Sequence, residues 1–252
     1  MALIDTNAIV LKSVDSGETS RRLTFFSGEV GRFSLVARGV KSKSGRAHAG
    51  LEPYVIARVS ANLKPDADLG TLSRSEVVER FAHFRKDLTR LAAAGVFCET
   101  LDRGTQPRLA NPRLYEYAAG FLRALDSEAD GKIVFLLSHA LLRAAQAMGF
   151  APELHACVSC GVATNGRWFD FAAGGLLCSR CCPQSRATGM PMEAEVAALM
   201  RVCATRPWAQ VRVAADDGPE TAALFTALVR WLSHHLECEL KSVRFLRSAL
   251  KL

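Results

Sequence analysis

The sequence predicts an α+β protein, with a small β-barrel first and a helical region after it that carries an inserted metal-binding module. Three observations lead there. Up to about residue 80, short runs of Val, Ile, Leu and Phe are punctuated by Gly, Ser, Asn and Pro. From about residue 81 the apolar residues recur at helical spacing instead. Two close cysteine pairs then interrupt the helical pattern, which resumes beyond them.

Five runs read as strands: Ala8 to Lys12, Arg22 to Ser27, Phe33 to Ala37, Tyr54 to Val59 and Leu69 to Val78. Five short strands suit a small closed barrel. The OB-fold is the best-known five-stranded case, and an SH3-like barrel fits the same pattern. Phe25 and Phe26 are neighbours, so alternation places them on opposite faces, and one of the two is a candidate for exposure and base stacking. Core packing is the commoner fate of such residues.

Phe81, Phe84, Leu88 and Leu91 fall at helical spacing, as do Leu114, Tyr117, Ala118, Phe121, Leu122 and Leu125. Asn111-Pro112 makes a helix start. Ile133 to Met148 is apolar around much of its circumference, which predicts a buried central helix ended by Gly149. Glu193 to Thr205 and Pro219 to Leu250 continue the helical pattern. The expected division is residues 1–80 for the barrel and 81–252 for the helical domain, with the metal module at about 155–183.

Cys157 and Cys160 are separated by two residues, as are Cys178 and Cys181, with seventeen residues between the pairs. A two-residue gap lets two thiolates turn toward one point, and two such knuckles supply the four soft ligands of tetrahedral Zn2+. Gly161, Gly166, Gly174 and Gly175 suit the tight turns of a zinc ribbon. A shell of four thiolates leaves no position for water or substrate, so the expected role is structural. Cys182 follows Cys181 and reads as a spare thiol. His155 is a further donor nearby, but four cysteines already satisfy the metal. Cys98, Cys203 and Cys238 read as small core hydrophobes.

The chain has 252 residues and a formal net charge of +7, a balance that suits a polyanionic partner. Between Glu29 and Glu52 there is no acidic residue, while Arg32, Arg38, Lys41, Lys43 and Arg46 lie among small residues. This reads as a basic loop between two barrel strands, able to follow a phosphate chain without reading bases. Arg21 and Arg22 extend that surface or serve as edge-strand charge. Gly39 to Arg46 only approaches a P-loop: five residues separate its glycines, and Arg46 stands where Lys should. The paired H-x-E and P-C-x-x-C signature of zinc deaminases is missing, as are HExxH and G-x-S-x-G. No enzyme activity is expected. His234 and His235 read as polar-face residues. No apolar run approaches the ~20 residues of a membrane span, and no signal peptide precedes the first strand, so a cytoplasmic, non-membrane protein is expected.

Together these features resemble the RecO family of bacterial recombination mediators over essentially the whole chain. The most specific stretch is Leu141 to Gly161, LLRAAQAMGFAPELHACVSCG: a Leu-rich helix, then Gly-Phe-x-Pro-x-Leu, then C-x2-C-G. FDFAAGGLLCSRC, Phe169 to Cys181, fits the second half of the module. AIVLKS, the Gly17-Glu18 turn and Leu23 to Ser42 fit the family's N-terminal pattern, and Leu240 to Leu246 its C-terminal helix. The chain departs from the family's usual tail at Val243, where Arg is common, and at Glu237, where Gly is common. The resemblance implies an N-terminal OB domain, a helical domain and a zinc module. It also implies binding to single- and double-stranded DNA, annealing of complementary strands, and help in loading RecA onto strands coated by SSB. RecR and the acidic C-terminal tail of SSB are the implied partners, in a nucleoid-associated setting. Arg38, Lys41, Lys43 and Arg46 match the family's basic OB-loop region. Some relatives lack the cysteines, so zinc is not the source of the shared activity. The rival reading is a zinc-ribbon transcription regulator reading duplex DNA, for which only Arg167, Arg180 and Arg186 lie near the cysteines.

Overall fold

The computed structural model describes residues 2–38, 50–64, 67–182, 188–213 and 216–250. The chain forms two compact units, Met1–Ser127 and Glu128–Leu252. The change from strand to helix at about residue 80, where the sequence sets a domain boundary, therefore falls inside the first unit. The first two long helices cluster with the barrel, because they cover part of its outer surface.

In the first unit, β1 (Ala2–Ser16), β2 (Ser20–Ser27), β3 (Gly31–Ala37), β4 (Ile56–Leu63) and β5 (Leu69–Glu79) close a barrel in the order β1-β2-β3-β5-β4. This is an OB-like barrel, as expected. The β3–β5 pairing is parallel and the others are antiparallel. The long β1 serves two neighbours: Ala2 to Ile9 pairs with β4, and Ala8 to Ser16 with β2, past an irregularity between Val10 and Lys12. Alternation sends Val10, Leu23, Phe25, Phe33, Leu35 and Val59 into the barrel core. Phe25 and Phe33 stack there with centroids 5.5 Å apart.

The opposite face of β1 and β2 is apolar at Ile9 and Phe26, where helices cover it. Helix α1 (Leu88–Gly104) packs on β1 and β2, and α2 (Pro112–Ser127) on β2. Phe26 lies against Tyr115 of α2, and Ile9 and Phe26 are both fully buried. The expected helical run from Phe81 is broken. His83–Arg85 is a 3-10 turn, and α1 starts anew at Asp87, whose carboxylate accepts from the N–H groups of Thr89 and Arg90. Asn111 caps α2 as expected, accepting from the N–H of Leu114 at 3.0 Å. The link between the two helices is laced to the barrel. Pro107 bridges to Arg32, and the N–H of Arg108 donates to the Arg32 carbonyl at 2.9 Å.

In the second unit, α3 (Ile133–Ala147), α4 (Ala194–Thr205) and α6 (Pro219–His235) pack on one another. Most of α3 is buried, as its all-round apolar pattern predicts. The Asp217 carboxylate, distant in sequence, accepts from the N–H groups of Val134 and Phe135 and caps α3. A three-stranded sheet, β7-β6-β8, lies between α3 and α4 in the chain: β6 (Trp168–Asp170), β7 (Gly175–Leu177) and β8 (Gly189–Pro191). Its third strand lies beyond residue 183, so the module is longer than the spacing of the cysteines suggests. The short α5 (Trp208–Val211) follows α4.

The helical run expected over 219–250 is two helices, α6 and α7 (Ser242–Ala249), separated by a corner at Glu237. Here the N–H of Cys238 donates to the Ser233 carbonyl and that of Glu237 to the His234 carbonyl, the pattern of a Schellman cap. Glu237 has φ 51, a left-handed conformation that suits glycine. This gives the family's frequent Gly at that position a physical reason. Relief of the left-handed cost, partly offset by glycine's extra freedom when unfolded, leaves a gain of about 0.5–1 kcal/mol for Glu237→Gly. The expected result is a rise in Tm of a few degrees; a fall would show that the Glu237 side chain stabilises the corner. Cys238 is half-buried at this corner rather than in the core. Cys98 and Cys203 are buried, and burial raises both thiols, that of Cys203 to about 12.

Candidate metal centre and barrel surface

Two tight turns and one hairpin bring the four cysteines together. At the first turn the N–H of Cys157 donates to the Val162 carbonyl and that of Gly161 to the Cys157 carbonyl. At the second the N–H of Cys181 donates to the Cys178 carbonyl at 3.1 Å. The β6–β7 hairpin spans the residues between and holds the turns side by side, with the N–H of Val158 bonded to the Leu176 carbonyl. Arg201 of α4 fastens the first turn by donating to the carbonyls of Leu154 and Thr164. Beneath the hairpin, Phe169 packs against Trp231 of α6, with centroids 5.9 Å apart.

The sulfurs of Cys157, Cys160, Cys178 and Cys181 all lie within 4.8 Å of one another. Among the described residues they are the one group of three or more His, Cys, Asp or Glu side chains arranged to share an ion. The Cys160 and Cys178 sulfurs are 3.8 Å apart, far beyond a disulfide bond. That separation is the edge of a tetrahedron with metal–sulfur bonds of about 2.3 Å. The backbone favours thiolates. Burial opposes ionisation of Cys157, yet the N–H groups of Cys178, Cys160 and Ser159 outweigh it and bring the thiol down to about 6. The N–H of Cys181 is the main cause that lowers Cys178. Cys181 receives the Ser159 hydroxyl, but the sulfurs of Cys178, Cys160 and Cys157 crowd it and push it up to about 12. Four sulfurs this close, with no carboxylate or imidazole in the group, form a donor set that fits a soft divalent metal.

Cys182 stands outside the group, with its sulfur turned to the Ser179 carbonyl at 3.7 Å. His155 is not part of the group either, and its N–H donates to the Glu153 carboxylate. Arg167 and Arg180 are exposed beside the module, and Arg186 lies outside the described residues. His235 is not a polar-face residue: it is half-buried, 5.2 Å from the Trp231 ring, with Nε2 buried.

On the barrel the cations expected to meet DNA differ in their surroundings. Arg22 and Arg38 are exposed. Arg21 pairs with Asp15 at 3.3 Å. Arg32 is half-buried, donating to the Thr105 carbonyl at 3.1 Å and pairing with Asp102 at 3.5 Å. Lys41, Lys43 and Arg46 lie outside the described residues. Phe25 and Phe26 are both fully buried, so neither offers a stacking face.

Two cations that sequence reasoning passed over join this surface. Lys12 of β1 and Arg103 in the last turn of α1 line a groove of about 500 Å³ with Arg22, Arg32, Thr24 and Ser34. Lys12 pairs across the sheet with Thr24, and Thr24 with Ser34, so these three form one outward row. No local pattern joins Lys12 to Arg103, since only the packing of α1 on the barrel brings them together. Among the described residues, no helix is long and apolar enough to cross a membrane.

The family model for the recombination protein O N-terminal region matches residues 1–81, and that for its C-terminal region matches residues 85–244. A DNA repair protein RecO from Anaeromyxobacter dehalogenans is 32% identical, over 98% of this chain and 96% of the relative. The DNA repair protein RecO of Bacillus subtilis is 30% identical, over 79% of this chain and 76% of the relative. That of an Exiguobacterium species is 33% identical, over 68% of each.

Proposed function

The chain belongs to the RecO family of DNA repair proteins, and from that premise we propose that it is a non-enzymatic mediator that gathers and anneals DNA strands. The observation that carries this reading is an OB-like barrel, matched by the family's N-terminal model, whose outer face bears clustered cations. The barrel of residues 1–80 is the proposed DNA-binding element. Arg21, Arg22, Arg32, Arg38, Lys41, Lys43 and Arg46 are its proposed contacts to single- and double-stranded DNA. Annealing brings two polyanions together against their repulsion. A basic surface lowers that barrier, while base pairing supplies the specificity. Duplex stacking, about 1.4 kcal/mol per step, makes the reaction downhill without nucleotide. With RecR, and through the C-terminal tail of SSB, the protein helps load RecA onto SSB-coated strands in the cytoplasm. The four-cysteine group binds one Zn2+, which holds the module's fold and takes no part in a reaction.

The test is strand annealing with SSB-coated oligonucleotides and no added nucleotide. The wild-type protein is expected to accelerate annealing, and Lys41→Glu with Lys43→Glu to weaken binding of all sequences about equally. For about five phosphate contacts the log–log salt slope on single strands is near −3.5. A slope near zero, or no acceleration, rejects the reading. A preference for one duplex sequence over random DNA would identify a transcription regulator instead.

A further inference from the structure

We infer that the barrel groove carries the sugar-phosphate chain with the bases turned away from the protein. This rests on the DNA-binding reading above and specifies how the strand is held. Lys12, Arg22 and Arg103 are exposed at the groove, and among the described residues none of the three forms an ion pair. Arg32 forms part of the wall, held there by Asp102, the one carboxylate of the lining among the described residues. Cations therefore exceed acids, and the groove favours an anion. Its floor is polar: the Thr24 and Ser34 hydroxyls lie 3.4 Å apart. With one of them donating to the other, the second hydroxyl is left to donate to a phosphate oxygen.

What the groove lacks decides the orientation of the strand. OB-type surfaces that hold bases do so on exposed aromatic rings. Among the described residues the lining contains no aromatic side chain, and its one apolar side chain is Val14, which presents no flat face. Over the first unit, every Phe among the described residues is buried, and Tyr54, Tyr115 and Tyr117 are at most half-exposed. The rings that a sequence reading offers for stacking are consumed by the barrel core and by α2. Phosphates thus find partners here and bases do not. A strand held by its backbone keeps its pairing edges in solution, where a complementary strand can meet them. This supplies a physical route to annealing without release of the first strand.

The experiment compares two probes of equal length on the full-length protein by fluorescence anisotropy: oligo(dT), and an abasic sugar-phosphate oligomer. The wild-type protein is expected to bind both within about threefold, since the contacts are to phosphate. Abasic binding weaker by about tenfold or more would overturn the inference, because stacking would then carry affinity. The variant Lys12→Ala/Arg22→Ala/Arg103→Ala is expected to weaken both probes together, with a salt slope shallower by about 2 for three lost contacts. An unchanged slope would overturn the assignment to this groove. The probe comparison uses wild-type protein and so does not depend on the variant's folding. If the wild-type protein binds neither probe, the DNA-binding reading fails and this inference with it. If it binds oligo(dT) alone, only this inference fails.

Discussion

Replacing Cys160 by serine is expected to abolish stoichiometric metal binding and to unfold the module around it. Cys160 is exposed, so the substitution leaves no cavity, and its effect isolates the loss of a ligand. Three thiolates and a hydroxyl do not replace a tetrahedral thiolate shell. The module has little else to hold it, being three strands of three residues each and two cysteine turns over a small core of Phe169, Leu176 and Leu177. Structural zinc supplies about 10–16 kcal/mol of apparent binding energy in isolated zinc-finger peptides. A loss on the order of 5 kcal/mol is expected here, because Phe169 keeps its packing on Trp231. The checks are elemental analysis of purified protein, expected to fall from one zinc per chain to near none, and limited proteolysis, expected to cut between residues 150 and 192. Lowering the pH releases the metal from the wild-type protein too, since every ligand must stay deprotonated. Unchanged protease resistance in the metal-free variant would show that the module folds by its apolar contacts alone. Oligonucleotide binding by the barrel is expected to survive the substitution.

The second large effect is expected at Gly31, the first residue of β3. Gly31 has φ +75, and a Cβ built there would lie 2.1 Å from the Leu109 carbonyl oxygen, 2.6 Å from its carbon and 2.8 Å from its nitrogen. All three are backbone atoms, so no side-chain rotation relieves the clash. Leu109 cannot withdraw freely either. Its neighbour Arg108 is tied to the Arg32 carbonyl and donates through its guanidinium to the Lys64 and Ala67 carbonyls. Gly31→Ala therefore combines a left-handed backbone cost of about 1–2 kcal/mol with loss of the link that laces α1 and α2 to the barrel. A total destabilisation of about 3 kcal/mol or more is expected from chemical denaturation. Gly17→Ala is the control: Gly17 also has φ +75, but nothing lies within 4 Å of the added Cβ. It isolates the backbone cost, about 1 kcal/mol. Equal losses at the two positions would show that the 105–111 link yields easily.

The metal centre was the most legible part of the chain, because its signal is local. A two-residue gap and a tight turn place two sulfurs together whatever surrounds them, and all four positions meet in the structure as the spacing requires. The barrel strands were legible for the same reason, through alternation within each run. The break before α1 was not legible. Phe81 and Phe84 keep helical spacing, but the Asp87 cap restarts the helix, and their rings pack together at 5.0 Å across a 3-10 turn. The corner at Glu237 was hidden because glutamate is an unusual residue at a left-handed cap.

By itself the sequence determined the five barrel strands, the change to helix after them, the four clustered sulfurs and the family to which the chain belongs. These are set by spacing along the chain, which short-range geometry converts directly into structure. Only the tertiary structure decided that Phe25 and Phe26 are both buried, one inside the barrel and one under α2. It alone decided that Arg32 is held by Asp102, and that Lys12 and Arg103 meet in one groove. Those outcomes depend on which helix face covers which strand, a choice made by packing among residues far apart in the chain.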